Sequence, residues 1–159
     1  MSLFNKQLQL NVQEDINPQN ISLELDRIYT DLNKYISEWK SWTPSYSASG
    51  AMTYTAVTTT YARYCLLGNS VHFQIKALGT TGGVASTQLR FTVPIQPKRD
   101  TADGIGGGCT IIDGGAYRSG QWSHQGTTKT IAVARYDFAN WGLAANTGFI
   151  ITGFYEIDK

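Results

Sequence analysis

The sequence contains few of the side chains on which catalytic and metal sites usually depend. Its only cysteines are Cys65 and Cys109 and its only histidines are His72 and His124, and none has a second ligand at metal-binding spacing. Ser123, His124 and Asp113 could form a catalytic triad, but no nucleophile-elbow pattern surrounds the serine. We therefore predict no metal, no cofactor, no catalytic residue and no enzymatic activity. The cysteines are expected to be buried free thiols, and a single disulfide is the alternative.

Charge and long apolar runs are also scarce. The 13 Lys and Arg nearly balance the 12 Asp and Glu, so no basic face is available to attract nucleic acid. No apolar run reaches the roughly 18 residues that a membrane-spanning helix needs, and the start lacks the basic-then-apolar layout of a signal peptide. The sequence therefore predicts no nucleic-acid partner, no membrane insertion and no secretion by the usual route.

The N-terminal part does contain an apolar stripe with heptad spacing. Its members recur in alternating steps of four and three residues: Ile21, Leu25, Ile28, Leu32, Tyr35, Trp39 and Trp42. A stripe with this period predicts a coiled coil over residues 17–42, beginning at the helix-start pair Asn17 and Pro18. Leucine at a positions and isoleucine at d positions disfavour a dimer, so we predict a parallel trimer with these seven residues at its interface. The alternative is a helix packed on its own β domain.

Residues 1–16 predict an extended arm that anchors the protein to another structure. Apolar and polar residues alternate there with period two, as in a strand that lies against a neighbour. The predicted anchoring residues are Leu3, Phe4, Leu8, Leu10 and Val12. A disordered terminus is the alternative.

Residues 43–159 predict an antiparallel β-sandwich or jelly roll. Strands are expected at 52–59, 61–67, 71–78, 88–95, 108–112, 130–136 and 149–157, and polar or glycine-rich breaks at 79–83, 100–107, 113–126 and 137–148. Gly68 and Asn69 predict a tight hairpin turn, after which Val71, Phe73 and Ile75 face one side of the sheet. The fold class is therefore mainly β, with one N-terminal helix.

The segment 113–125 is the best candidate for a binding surface. It places Tyr117, Arg118, Trp122 and His124 in a stretch otherwise rich in glycine and serine. Exposed aromatic rings stack on sugars, and planar polar groups bond their hydroxyls, so we interpret these four residues as a glycan surface. The alternative is that Tyr117 and Trp122 cover the end of the core or the three-fold contact. Phe138 and Trp141 are interpreted as core.

Several segments together resemble a module of virion appendage proteins in tailed bacteriophages. They read WTPSYSASG, TTTYARYCLLGNSVHFQIKALGTTGG, QLRFTVP, VARYDFANW and FIITGFYEID, and they cover most of residues 42–158. The resemblance implies a trimeric β domain on a stem, in a fibre, a spike or a capsid decoration. It also implies synthesis in the host cytoplasm, a place on the virion surface, and capsid or tail proteins as partners. The resembling segments carry no catalytic motif.

Two functions then stay open. In the first, three β domains on one stem bind a host cell-surface carbohydrate, and avidity strengthens weak single sites. In the second, the protein is a capsid cement or decoration piece that stabilises the particle and binds no receptor. Exposure of Tyr117 and Trp122 favours the first function, and their burial weakens it.

Overall fold

The computed structural model describes residues 18–35, 37–98, 106–125 and 128–158. The chain divides into two compact units, Met1–Lys34 and Tyr35–Lys159. The first contains all of the helix except its last residue, and the second, which we call the β unit, contains the strands. The predicted anchoring arm lies outside the described residues, with Leu3, Phe4, Leu8, Leu10 and Val12.

Helix α1 spans Pro18–Tyr35, so it begins at the predicted proline and ends before the predicted boundary at residue 42. Trp39 and Trp42 are therefore not coiled-coil positions, and the prediction is corrected there. Trp42 instead packs against the β core, and its indole Nε1 donates to the Thr92 carbonyl at 3.0 Å. Contacts with distant strands outcompete the heptad pattern because they bury the indole and satisfy its N–H group.

The β unit contains one nine-stranded antiparallel sheet. Its strands are β1 (Lys40–Ser41), β2 (Tyr46–Ala48), β3 (Met52–Leu67), β4 (Ser70–Gly83), β5 (Gln88–Thr92), β6 (Gly106–Asp113), β7 (Ala116–His124), β8 (Thr130–Arg135) and β9 (Thr147–Glu156). They are ordered β1-β3-β4-β9-β6-β7-β8-β5-β2 across the sheet. The predicted mainly β, antiparallel class is confirmed. The sequence did not predict β1, β2 or β7.

The sheet curls around a single core. Phe73 on β4 and Phe91 on β5 have ring centroids 6.2 Å apart, although β9, β6, β7 and β8 lie between them in the sheet. The two margins also approach each other, since the Tyr46 hydroxyl on β2 lies 2.6 Å from the Thr59 hydroxyl on β3. Opposite walls of one sheet thus face each other across shared aromatic side chains.

The predicted hairpin between β3 and β4 is confirmed. Leu67 pairs with Ser70 across the two-residue turn, in which Gly68 has a φ of +61°. Inward and outward residues alternate along β4 as predicted, and Phe73 is fully buried. The predicted break at 79–83 is wrong, because β4 continues to Gly83. The small residues of this part of β4 fit against β3, since a Cβ on Gly79 would lie 2.8 Å from the Tyr54 ring.

Both cysteines are free thiols, as the preferred prediction stated, but each is half-buried rather than buried. Cys109 packs against the core, and burial raises the pKa of its thiol to about 12. A thiol with this pKa is neutral at physiological pH and behaves as a small apolar side chain.

The β unit has two ends. At the entry end, beside the β3–β4 turn, the N–H of Ser37 donates to the Leu66 carbonyl at 2.9 Å, and the N–H of Leu66 donates to the Ser37 hydroxyl at 2.7 Å. The chain therefore enters the β unit at this end. Strand β4 runs from the entry end at Ser70 to the opposite end, the cap end, at Gly83.

At the cap end, the loop 136–146 packs against the ends of the strands. Trp141 of this loop is 1% exposed, and its indole Nε1 donates to the Thr87 carbonyl at 3.1 Å. The hydroxyl of Thr81 on β4 donates to the Gly142 carbonyl at 2.6 Å. A buried indole and several backbone hydrogen bonds thus fix a loop that has no regular secondary structure.

A substitution at Gly148 tests the packing between β4 and β9. A Cβ at this position would collide with the Ala77 carbonyl oxygen and lie 3.0 Å from the Leu78 Cα. We expect Gly148→Ala to lower the free energy of unfolding by about 3 kcal/mol, since the neighbouring backbone cannot retreat without breaking the ladder. Urea denaturation measures the change. Gly108→Ala is the matched control, because a Cβ on Gly108 meets nothing within 4 Å. Equal urea midpoints for the two variants would contradict this packing.

Candidate functional site

The segment predicted as an exposed loop is a β-hairpin. Strands β6 and β7 pair from Asp113 and Ala116 back to Gly106 and Ser123. The turn residues Gly114 and Gly115 have φ values of +58° and +86°, which suits a two-residue type I′ connection. Ladder hydrogen bonds on both sides of β7 outweigh its low intrinsic strand propensity, so the loop prediction is wrong.

The hairpin separates the four predicted glycan-site residues. Trp122 and His124 are buried, each 4% exposed, whereas Tyr117 is 68% exposed and Arg118 is also exposed. The Trp122 ring packs edge-on against Phe73 with centroids 5.4 Å apart. Neither Trp122 nor His124 can stack on a sugar from these positions. The predicted glycan surface of four residues is therefore corrected to the two exposed ones, Tyr117 and Arg118.

His124, the last residue of β7, forms a hydrogen bond with the backbone of Thr128. Its Nε2 lies 2.6 Å from the Thr128 carbonyl oxygen, which can only accept, so Nε2 carries the proton. Its Nδ1 is buried and has no hydrogen-bond partner among the described residues. The imidazole thus joins the end of β7 to Thr128, just before β8, and does not face solvent.

Tyr117 and Arg118 lie at the cap end, where the sequence missed two further exposed aromatic residues. Tyr136 and Phe138 follow β8 directly, and both are largely exposed, although Phe138 was interpreted as core. Phe138 has a φ of +54°, a left-handed conformation that is rare for a bulky residue. Hydrophobicity alone predicted that Phe138 is buried, and the signal against burial was its position between Asp137 and Asn140, residue types that are common in turns.

A partly exposed charge network links two segments of the cap end. Arg135 Nη1 lies 2.7 Å from a carboxylate oxygen of Asp113, whose side chain is largely buried, and Arg135 also binds Asp137 through two hydrogen bonds. The other Asp113 oxygen accepts the Gly142 N–H at 3.0 Å. The hydrogen bond from Arg135 lowers the pKa of Asp137. One guanidinium therefore ties the β6–β7 turn to the loop 136–146.

The chain has no match that would assign it to a family. No family model, curated protein or solved structure matches the chain. Within residues 18–35, 37–98, 106–125 and 128–158, no group of three or more His, Cys, Asp or Glu side chains is arranged to hold a metal ion. The described helix lacks the apolar character needed to cross a bilayer.

Proposed function

We propose that the protein is a homotrimeric structural component of a tailed-bacteriophage virion. In this proposal residues 1–16 anchor it to capsid or tail proteins, α1 forms a three-stranded stem, and the β unit is displayed on the particle. The observation that carries the proposal is the stripe on α1. Its four members with described side chains are 42% to 59% exposed in the single chain: Ile21, Leu25, Ile28 and Leu32.

The stripe supports self-association because water-exposed apolar side chains with heptad spacing gain most by meeting identical stripes. Leu25 and Leu32 occupy a positions, and Ile21 and Ile28 occupy d positions, a combination that disfavours two strands. A helix of 18 residues is marginal in water on its own, so association stabilises it.

The sequence resemblance over residues 42–158 supports the viral part of the proposal. The proposal includes a jelly-roll topology for the β unit. A curled antiparallel sheet around one core is compatible with that topology. Synthesis in the host cytoplasm and a place on the virion surface follow from the same role.

Receptor binding is the first candidate for the role of the β unit. Tyr117 and Arg118 support it, because both are exposed at the cap end, remote from the entry of the chain at Ser37. Capsid cement is the second candidate. The burial of Trp122 favours it, because the stacking ring of the predicted glycan surface is part of the core.

Two measurements test the trimer and the viral role. Light scattering of the purified protein is expected to give three times 17.5 kDa, about 52 kDa, and a monomer would reject the trimer. Cryo-electron microscopy of particles is expected to locate the protein at a three-fold appendage, and its absence from particles would reject the viral role.

A glycan array without signal rejects receptor binding. Particles that lose the protein and keep their heat and salt tolerance reject the cement role.

A further inference from the structure

An exposed cluster of aromatic and basic side chains lies on the outer face of the sheet near the entry end. We call it the outer platform, and it consists of Trp39, Tyr61, Arg63, Gln74 and Lys76. The guanidinium carbon of Arg63 lies 5.1 Å from the Trp39 ring centroid and 6.0 Å from the Tyr61 ring centroid. Trp39 is 47% exposed and Tyr61 is 38% exposed, so both rings still present surface to solvent.

The guanidinium of Arg63 is held in a fixed orientation. Its Nε donates to the Gln74 side-chain oxygen at 2.9 Å, and Gln74 is the residue paired with Arg63 across β3 and β4. The two terminal nitrogens of Arg63 have no acceptor among the described residues. A guanidinium that is bonded at Nε and lies over aromatic rings presents these nitrogens as a fork, which matches the two oxygens of a carboxylate.

Positive charge predominates on the strands that form the platform, and the acidic residue nearest to it in sequence is the exposed Glu38, directly before Trp39. Strands β1, β3 and β4 contain Lys40, Arg63, His72 and Lys76, and they contain no Asp or Glu. Within the described part of the chain, neither Arg63 nor Lys76 forms an ion pair. Lys76 is the cross-strand partner of Tyr61, so a second positive charge lies beside the aromatic rings. An anionic ligand therefore complements this face.

We propose that the outer platform binds an acidic glycan through a uronic-acid or sialic-acid residue. The carboxylate accepts two hydrogen bonds from Arg63, the apolar face of the sugar stacks on Tyr61 or Trp39, and Lys76 attracts a further negative charge. The assignment rests on the proposed receptor-binding role and names the ligand class for it. The platform lies near the entry end, so it is a second site, separate from Tyr117 and Arg118 at the cap end.

Binding of the intact protein to immobilised polygalacturonate tests the proposal, with dextran as the neutral polysaccharide. We expect binding to polygalacturonate alone, weakened as salt rises from about 50 to about 500 mM. Arg63→Gln is expected to weaken binding by about tenfold or more, because it removes the charged fork. Trp39→Ala is expected to weaken it as well. Lys129→Gln is the matched control, since it removes one exposed positive charge elsewhere and should bind as the unaltered protein does.

Other outcomes would overturn the assignment in distinguishable ways. Unaltered binding by Arg63→Gln, or no binding by the unaltered protein, rejects the platform. If polyphosphate binds as strongly as polygalacturonate, the outer platform is an unspecific anion site and the glycan assignment is rejected. A lower molar mass of Arg63→Gln in light scattering identifies the platform as a contact between copies of the chain. Binding of a neutral glycan that is lost in Tyr117→Ala rejects this site and leaves the proposed receptor-binding function intact.

Discussion

Replacing Leu25 and Ile28 together by aspartate is expected to dissociate the proposed trimer into monomers. Both side chains are exposed in the single chain and occupy successive positions of the stripe. Each buried leucine or isoleucine contributes about 2 kcal/mol, so three helices together lose roughly 12 kcal/mol of apolar burial. Six carboxylates would also face one another across the seam, which adds repulsion. Light scattering should record a fall in mass to 17.5 kDa.

The same helix provides a matched control for this prediction. Leu23 and Tyr29 are apolar and 68% exposed, but they lie outside the stripe. Leu23→Asp combined with Tyr29→Asp adds the same charge to the same helix and leaves the stripe unchanged. This control is expected to stay trimeric. A common mass for the two double variants would show that the stripe does not determine assembly.

Trp122→Ala is expected to lower the free energy of unfolding of the β unit by about 4 kcal/mol. The indole is buried against Phe73, and a Cβ on Gly153 would lie only 2.6 Å from its Cζ2 atom, so its surroundings are tightly packed. Alanine would leave a cavity that these neighbours cannot fill. For a domain of this size, the melting temperature should fall by roughly 10 °C, measured by circular dichroism.

Tyr117→Ala is the control for Trp122→Ala. Tyr117 lies on the same strand and belonged to the same predicted glycan surface, but its side chain is 68% exposed. Its removal is expected to change the free energy of unfolding by less than about 0.5 kcal/mol. Similar melting temperatures for the two variants would contradict the burial that separates these residues.

The hairpin and the buried face of β4 could be predicted because their signals are local. Alternation of apolar and polar residues fixes which side of a strand is buried, and Gly68 readily adopts the φ that the turn requires. The order of strands and the curl of the sheet could not be predicted in the same way. They depend on contacts such as Phe73 with Phe91, whose partners are far apart in the sequence.

The errors in the candidate site have a related physical origin. Trp42 fits the heptad pattern, but its indole is satisfied by Thr92 on β5. Trp122 lies among small polar residues that resemble a loop, but pairing with β6 and β8 turns its ring into the core. Arg63 carried no sequence signal, because its aromatic neighbours Trp39 and Tyr61 come together only when β1 pairs with β3.

One short stretch of chain occupies both margins of the sheet, since β1 lies on β3 and β2 lies on β5. A shortened protein starting at residue 43 would lose β1 and Trp42, and the bared rim of β3 would be free to recruit strands from other molecules. Transplanting this module onto a foreign scaffold therefore requires the residues from Ser37 onwards, including those that the heptad pattern assigns to the stem.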